Sequence, residues 1–209
     1  MSSSAKSPLC VNQEALSLLV LTDLPLEAPI LDLGAGISTF LDALLIQGYT
    51  NLIAADVSAA ALDAHRRQLS AKQVEHVLWL VDDVTHADEL RTLSPILLWH
   101  DRAMLPLLCL PQQQRAYCEV LDHMVEPGKG WVLLSVDLPG EQASPGDLPR
   151  QPYTLADLVA LLGSDYVLHE QREYVQELAN GVQLPGIYAL FRRREQTSKP
   201  FRQSASSPS

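Results

Sequence analysis

Short, almost unbroken apolar runs alternate along this chain with longer segments whose apolar residues recur at helical spacing. The runs are "PILDL" at 29–33, "NLIAAD" at 51–56, "HVLWLVDD" at 76–83, "PILLWHD" at 95–101 and "GWVLLSVDL" at 130–138. A strand covered on both faces reads this way, whereas a half-exposed strand would alternate. Between the runs lie helical segments with their own start and stop signals. "NQEALSLLVLTDL" opens on Asn12 as a cap, "STFLDALLIQG" ends at Gly48, and Ser58 caps "AAALDAHRRQLS". "PQQQRAYCEVLDHMVEPG" has Pro111 at its start and Pro127-Gly128 beyond its end, and "TLADLVALLG" follows a Pro-rich loop from Pro139 to Pro152. Near the end, "YVLHEQREYVQEL" and "QLPGIYALFRRR" flank Asn180-Gly181, the favoured two-residue hairpin turn. Pro185-Gly186 inside the last run predicts a bulge. The expected fold is α/β: a Rossmann-like, doubly wound, mostly parallel seven-stranded sheet with a C-terminal antiparallel hairpin.

Composition narrows the setting. A chain of 209 residues suits one domain. That domain is expected over 9–194, between a mobile N-terminus at 1–8 and a disordered tail at 195–209, both rich in Ser and Pro. A net charge of −10 argues against a nucleic-acid partner, which needs clustered Lys and Arg. The one basic cluster, Arg192-Arg193-Arg194, reads as a solvated strand end. Cys10, Cys109 and Cys118 are odd in number and make no CxxC pair, and no His spacing suggests a metal site. The opening "MSSSAKSPLC" has no apolar core of signal length, and no run approaches the length needed to span a membrane. These features predict a cytoplasmic protein with no bound metal and no membrane partner; oligomeric state has no signal in the pattern.

The candidate chemistry gathers where the runs end. In an open α/β sheet, ligands bind beyond the carboxyl ends of the strands, where strand order reverses. Gly34 and Gly36 follow the first run and let the backbone turn sharply and approach a ligand. Asp56 ends the second run about 20 residues on, where a carboxylate accepts both hydroxyls of a ribose. A dinucleotide fold wants a third glycine, but the turn here is Gly34-Ala35-Gly36-Ile37-Ser38-Thr39. Asp32, two residues before the first glycine, would also repel a pyrophosphate, whereas it suits an ammonium or sulfonium cation. S-adenosylmethionine carries both cations and no phosphate. Asp82-Asp83 end the third run, and either can accept from an adenine amino group, with Asp83 favoured because Val84 and Thr85 follow. Ser38, Val57, Val84 and Trp99 complete the candidate cofactor set.

These residues resemble the class I S-adenosylmethionine-dependent methyltransferases. "ILDLGAGIS" looks like the family's first motif, "AADVS" its second and "DDVT" its third-strand acid. "LLWHDRAMLPLL" is similar to the fourth-strand segment of small bacterial methyltransferases and the thiopurine S-methyltransferase group, where an Asp-Arg pair follows an aromatic. The similarity covers about Ala28 to Asp137. Two departures lie on the acceptor side: the N-terminal lead is short and lacks Trp, and Pro106-Leu107 stand where the small bacterial relatives tend to carry His-Phe.

The resemblance implies methyl transfer to a small-molecule acceptor, with a thiol or metalloid anion as the candidate. By resemblance Arg102 faces the acceptor and holds an anion; the bland alternative is an ion pair with Asp101 or Asp83 that stiffens the loop. Asp101 orients Arg102, His100 is a candidate base or a scaffold residue, and Trp99 is a wall of the site or core. Tyr153 is placed to close over the acceptor. Two other readings stay open: a protein methyltransferase acting on lysine, which the acidic balance permits, and a non-catalytic cofactor-binding relic, motivated by the short lead.

Overall fold

A computed structural model describes residues 8–102, 104–139, 149–177 and 183–195, apart from the side chains of 8–12, 37, 176 and 177. Its elements are α1 (Pro8–Val20), β1 (Ile30–Leu33), α2 (Thr39–Gln47), β2 (Leu52–Asp56), α3 (Ala59–Arg66), α4 (Ala71–Val74), β3 (Val77–Val81), β4 (Leu98–Arg102), α5 (Pro111–Met124), β5 (Trp131–Asp137), α6 (Leu155–Leu162), β6 (Tyr166–Glu177) and β7 (Gln183–Arg193). The strands form one seven-stranded sheet in the order β3-β2-β1-β4-β5-β7-β6. The first five are parallel, and β7 enters antiparallel between β5 and β6. Strand order reverses between β1 and β4, so their carboxyl ends frame the expected crevice.

Local chemistry explains most boundaries. Ser38 accepts from the Phe40 amide to open α2, and Gly48, at φ 94°, closes it. Ser58 accepts from the Ala61 amide to open α3. Thr154 and Asp157 form a reciprocal capping box on α6. Several expectations are corrected. Asn12 lies inside α1, which starts at Pro8. The segment after Ser58 breaks into α3 and a separately capped α4, because Ser70 and Gln73 build a new capping box. Pro185-Gly186 keep the regular register of β7, and the irregularity falls in β6 between Leu168 and Glu170. Gly186 serves another purpose: a Cβ there would lie 2.3 Å from the Tyr174 ring, which crosses the strand at that point. Asn180-Gly181 lie outside the described residues.

Two cores sandwich the sheet. On one face, Leu31, Leu33, Trp99, Val132 and Leu134 pack with Tyr117, Val120 and Leu121 of α5 and Leu158 of α6. On the other, Ile30, Leu98, Leu133, Tyr188 and Leu190 pack with Leu18 and Leu19 of α1 and Phe40, Leu41 and Leu44 of α2. Helix α1 reaches across to β6 and β7, joining the start of the domain to its last strands.

Of the arginine triplet, Arg194 is exposed as expected, but Arg192 and Arg193 are engaged by the fold. Arg193 is buried and donates to the Asp122 and Val125 carbonyls, which the end of α5 leaves unpaired. Arg192 lies 4.5 Å over the Trp131 ring and donates to the Gly128 carbonyl. Cys109 and Cys118 are free thiols. No helix among the described residues is long and apolar enough to cross a membrane.

Candidate active site

The turn after β1 is held from three sides. Gly34 sits at φ 76° and donates to the Ala55 carbonyl of β2 at 2.8 Å. A Cβ on Gly34 would lie 2.8 Å from Cγ of Met104, so that flexible side chain covers the glycine. Gly36 donates to Oδ2 of Asp56 at 3.0 Å, and a Cβ there would meet Ala61 at 2.4 Å. The second glycine therefore lets α3 and Asp56 close directly on the turn. His65 of α3 completes the clamp: Nδ1 bonds the Ala35 carbonyl at 2.8 Å and Nε2 bonds Oδ1 of Asp42 at 3.0 Å. Both partners are acceptors, so both bonds form together only when the ring carries two protons.

The strand-end acids differ in what they are committed to. Asp56 is half-buried, with Oδ1 accepting from the Ser58 amide at 2.8 Å and Oδ2 from Gly36. Two backbone donors fix its orientation, and each carboxylate oxygen keeps a further lone pair. Val57 beside it is exposed. Asp82 caps the turn at 90–92, its Oδ2 accepting from the Glu89 and Leu90 amides at 3.1 and 2.8 Å. Asp83 is exposed and accepts from the amide and hydroxyl of Thr85, both at 2.8 Å. Its slight burial works to raise the carboxyl, but the Thr85 bonds and His86 outweigh that and hold it below its ordinary value. Val84 is core.

Strand β4 sends alternate side chains to opposite faces. Trp99 and Asp101 point towards α5 and are fully buried. The Trp99 indole donates to the Tyr117 hydroxyl at 3.0 Å, which donates to Oδ2 of Asp101 at 2.8 Å. Asp101 also accepts from the Met104 and Leu105 amides at 2.8 and 3.1 Å. Burial nonetheless raises its carboxyl to about 6, against the pull of these donors and of His100. Burial likewise lifts the Tyr117 hydroxyl well above its ordinary range. Trp99 is thus core, and Asp101 fastens the turn after β4 with no contact to Arg102. Tyr153 joins this same core, on the face away from Arg102, with its hydroxyl buried and unpartnered.

His100 and Arg102 point the other way, towards α1 and α2. Nδ1 of His100 bonds Oδ1 of Asp32 at 2.6 Å, and its ring stacks on Phe40 at 3.9 Å. Asp32 is only 1% exposed, and its committed partner is a histidine of the neighbouring strand. Oδ2 of Asp32 and Nε2 of His100 are buried without partners. Arg102 is half-buried and makes no ion pair with Asp101 or Asp83, so the loop-stiffening alternative is not realised. Register carries its row across the sheet: Arg102 pairs with Ser135, and Ser135 with Tyr188. Tyr174, lying over Gly186, shares a 2.8 Å bond with the Ser135 hydroxyl. The Tyr188 hydroxyl is buried without a geometric partner. Sequence reasoning passed over Ser135, Tyr174 and Tyr188, since tyrosines within apolar strands read as core; the signal was Gly186 placed two residues before Tyr188.

No family model matches the chain, and no curated protein does. Solved structures do. A S-adenosylmethionine-dependent methyltransferase from Methanosarcina mazei superposes with TM-score 0.66 at 16% identity, covering 85% of this chain and 98% of its own. The fold is the Rossmann-like methyltransferase fold. The glycopeptide N-methyltransferase MtfA, solved with S-adenosyl-L-homocysteine, matches with TM-score 0.66 at 17% identity, over 87% of this chain and 89% of its own. The N-methyltransferase NodS from Bradyrhizobium japonicum, also solved with S-adenosyl-L-homocysteine, matches with TM-score 0.64 at 17% identity, over 91% and 90%. Within that fold, the glycine turn, Asp56 and the β4 end of this chain lie together at the strand-order reversal.

Proposed function

We propose that the protein is an S-adenosylmethionine-dependent methyltransferase acting on a small-molecule acceptor. The observation that carries this reading is the pairing of Gly36 with Asp56: the turn after β1 is locked against an oriented carboxylate at the end of β2. The residues fit the cofactor. Gly34 and Gly36 keep the turn tight against β2, Asp56 has lone pairs for two ribose hydroxyls, and Asp83 with Val84 would meet an adenine edge. The unpartnered Oδ2 of Asp32 beneath the turn suits the cationic end better than a pyrophosphate. When bound, the cofactor supplies an electrophilic methyl group on a sulfonium.

The protein's part is alignment and exclusion of water. Asp56 and the glycine turn set the cofactor's position, and Arg102 at the end of β4 sets the acceptor's, so that positioning alone contributes about 7 kcal/mol or more. The Arg102 charge, without an ion pair among the described residues, favours an acceptor that carries an anionic group; as the reacting nucleophile, thiols and metalloid anions are the first candidates. Such a nucleophile needs no base, which agrees with the deep, strand-bound position of His100.

Calorimetry with S-adenosylhomocysteine tests cofactor binding, and labelled S-adenosylmethionine with thiols, selenite and tellurite tests the acceptor. Binding with transfer to one of these acceptors is expected. No thermal stabilisation at millimolar ligand overturns the cofactor reading; binding without turnover across the panel removes that acceptor class.

A further inference from the structure

The row beside Arg102 holds more polar groups than packing requires. Tyr188 is fully buried, and its hydroxyl comes near the Ser135 hydroxyl without a well-formed hydrogen bond, since Ser135 is already bonded to Tyr174, which leaves a native phenol poorly satisfied. Burial raises that hydroxyl far above its ordinary value, so it stays a proton donor; the Arg102 charge and the Ser135 hydroxyl oppose the shift, and Tyr174 and Asp32 add to it. Tyr174 feels Arg102 in the same sense. Its ring is tilted 44° against that of Tyr188, with centroids 5.2 Å apart, and its hydroxyl meets Ser135. One guanidinium that has no carboxylate partner among the described residues therefore faces two phenols on a single sheet face. Neighbouring charges are already matched: Asp137 pairs with Arg150 at 2.7 Å and Glu170 with Arg172 at 2.7 Å.

We propose that Arg102, Tyr188 and the Ser135–Tyr174 pair form a subsite for a non-reacting carboxylate carried by the methyl acceptor. This rests on the methyltransferase reading and deepens it. A planar guanidinium with phenolic donors beside it suits a planar oxyanion, which accepts several hydrogen bonds at once. A thiolate held in the same way would have its nucleophilic lone pairs tied up in hydrogen bonds, which weakens attack. The charge that Arg102 holds thus belongs to a group other than the reacting atom, and the acceptor is an acid whose nucleophile lies elsewhere on the molecule. The half-buried Tyr174 ring gives that molecule an apolar wall.

Benzoate and benzamide, alike in shape and different in charge, are titrated into the full-length protein by calorimetry, with and without saturating S-adenosylhomocysteine. Benzoate is expected to bind at least about tenfold more tightly than benzamide, the Arg102→Gln variant to lose that preference, and Tyr188→Phe to reduce it about threefold. The melting temperature of each variant, and the conservative Arg102→Lys, separate loss of the site from loss of the fold. Equal binding of the two probes, or a preference that survives Arg102→Gln, overturns the proposal. So does a fall in S-adenosylhomocysteine affinity on Arg102→Gln as large as the fall for benzoate, since the guanidinium then serves the cofactor's own carboxylate. Absence of any S-adenosylhomocysteine binding would instead strike the methyltransferase reading, and the benzoate arm without it still reports on the subsite.

Discussion

The five residues of β4 divide between two faces that differ in how their polar groups are treated. Towards α5, Trp99, Tyr117 and Asp101 form a closed circuit in which the indole, the phenol and two backbone amides all have partners, although the Tyr153 hydroxyl in the same core is unmatched. Towards α1 and α2, His100, Asp32 and Tyr188 each keep one buried polar atom unmatched, and Arg102 has no counter-ion among the described residues. A protein that needed only stability would fill both faces alike, because an unmatched buried donor or acceptor costs free energy. The closed face is scaffold, and the open face is where a ligand's own polar groups complete the count.

That contrast is breakable. The largest effect is expected on the closed face: Asp101→Ala strands two amides and the Tyr117 hydroxyl and should cost about 4 kcal/mol in urea unfolding. Next comes a pH dependence. Burial lifts the Asp101 carboxyl from 3.8 to about 6, so the folded protein binds this proton more tightly than the unfolded chain. The contribution is full below pH 3.8 and is lost as pH rises towards 6. Stability should lose on the order of 2 kcal/mol across that window through this group, a slope that Asp101→Asn flattens. Third, Asp56→Ala should weaken S-adenosylhomocysteine binding by at least about 1.5 kcal/mol, measured by calorimetry, because a ribose loses a charged acceptor.

The open face should tolerate substitution. Tyr188→Phe removes an unmatched hydroxyl and should leave stability unchanged or raise it by up to about 1 kcal/mol. Smallest of all, Arg102→Gln should shift the unfolding free energy by no more than about 0.5 kcal/mol while turnover falls. A large loss of stability from either variant would erase the distinction between the faces.

Much of this was legible in the residues. Continuous apolar runs gave five parallel strands, and Ser38, Gly48, Ser58 and Thr154 marked helix ends because capping is local chemistry. Gly34, Gly36 and Asp56 were legible as a unit, since the spacing that joins them is set by one βαβ turn. What escaped is what depends on which face a strand residue takes once neighbours are in register. Asp101 and Arg102 read as one motif, but adjacent strand residues point apart, and only the pairing with β5 shows which of them meets Ser135. Asp32 likewise reads as a free acid until β4 brings His100 alongside. Arg193 looked solvated because its partners are carbonyls, which no residue type announces.

The position of β7 has a consequence for how the chain is made. This strand leaves the ribosome after β5 and β6, yet it is the one that slots between them. Until it emerges, both flanking strands wait with unsatisfied edges, and the row containing Tyr188 does not exist. Binding competence is therefore acquired in a single late event, and a truncation before β7 should yield an aggregation-prone product with two open seams.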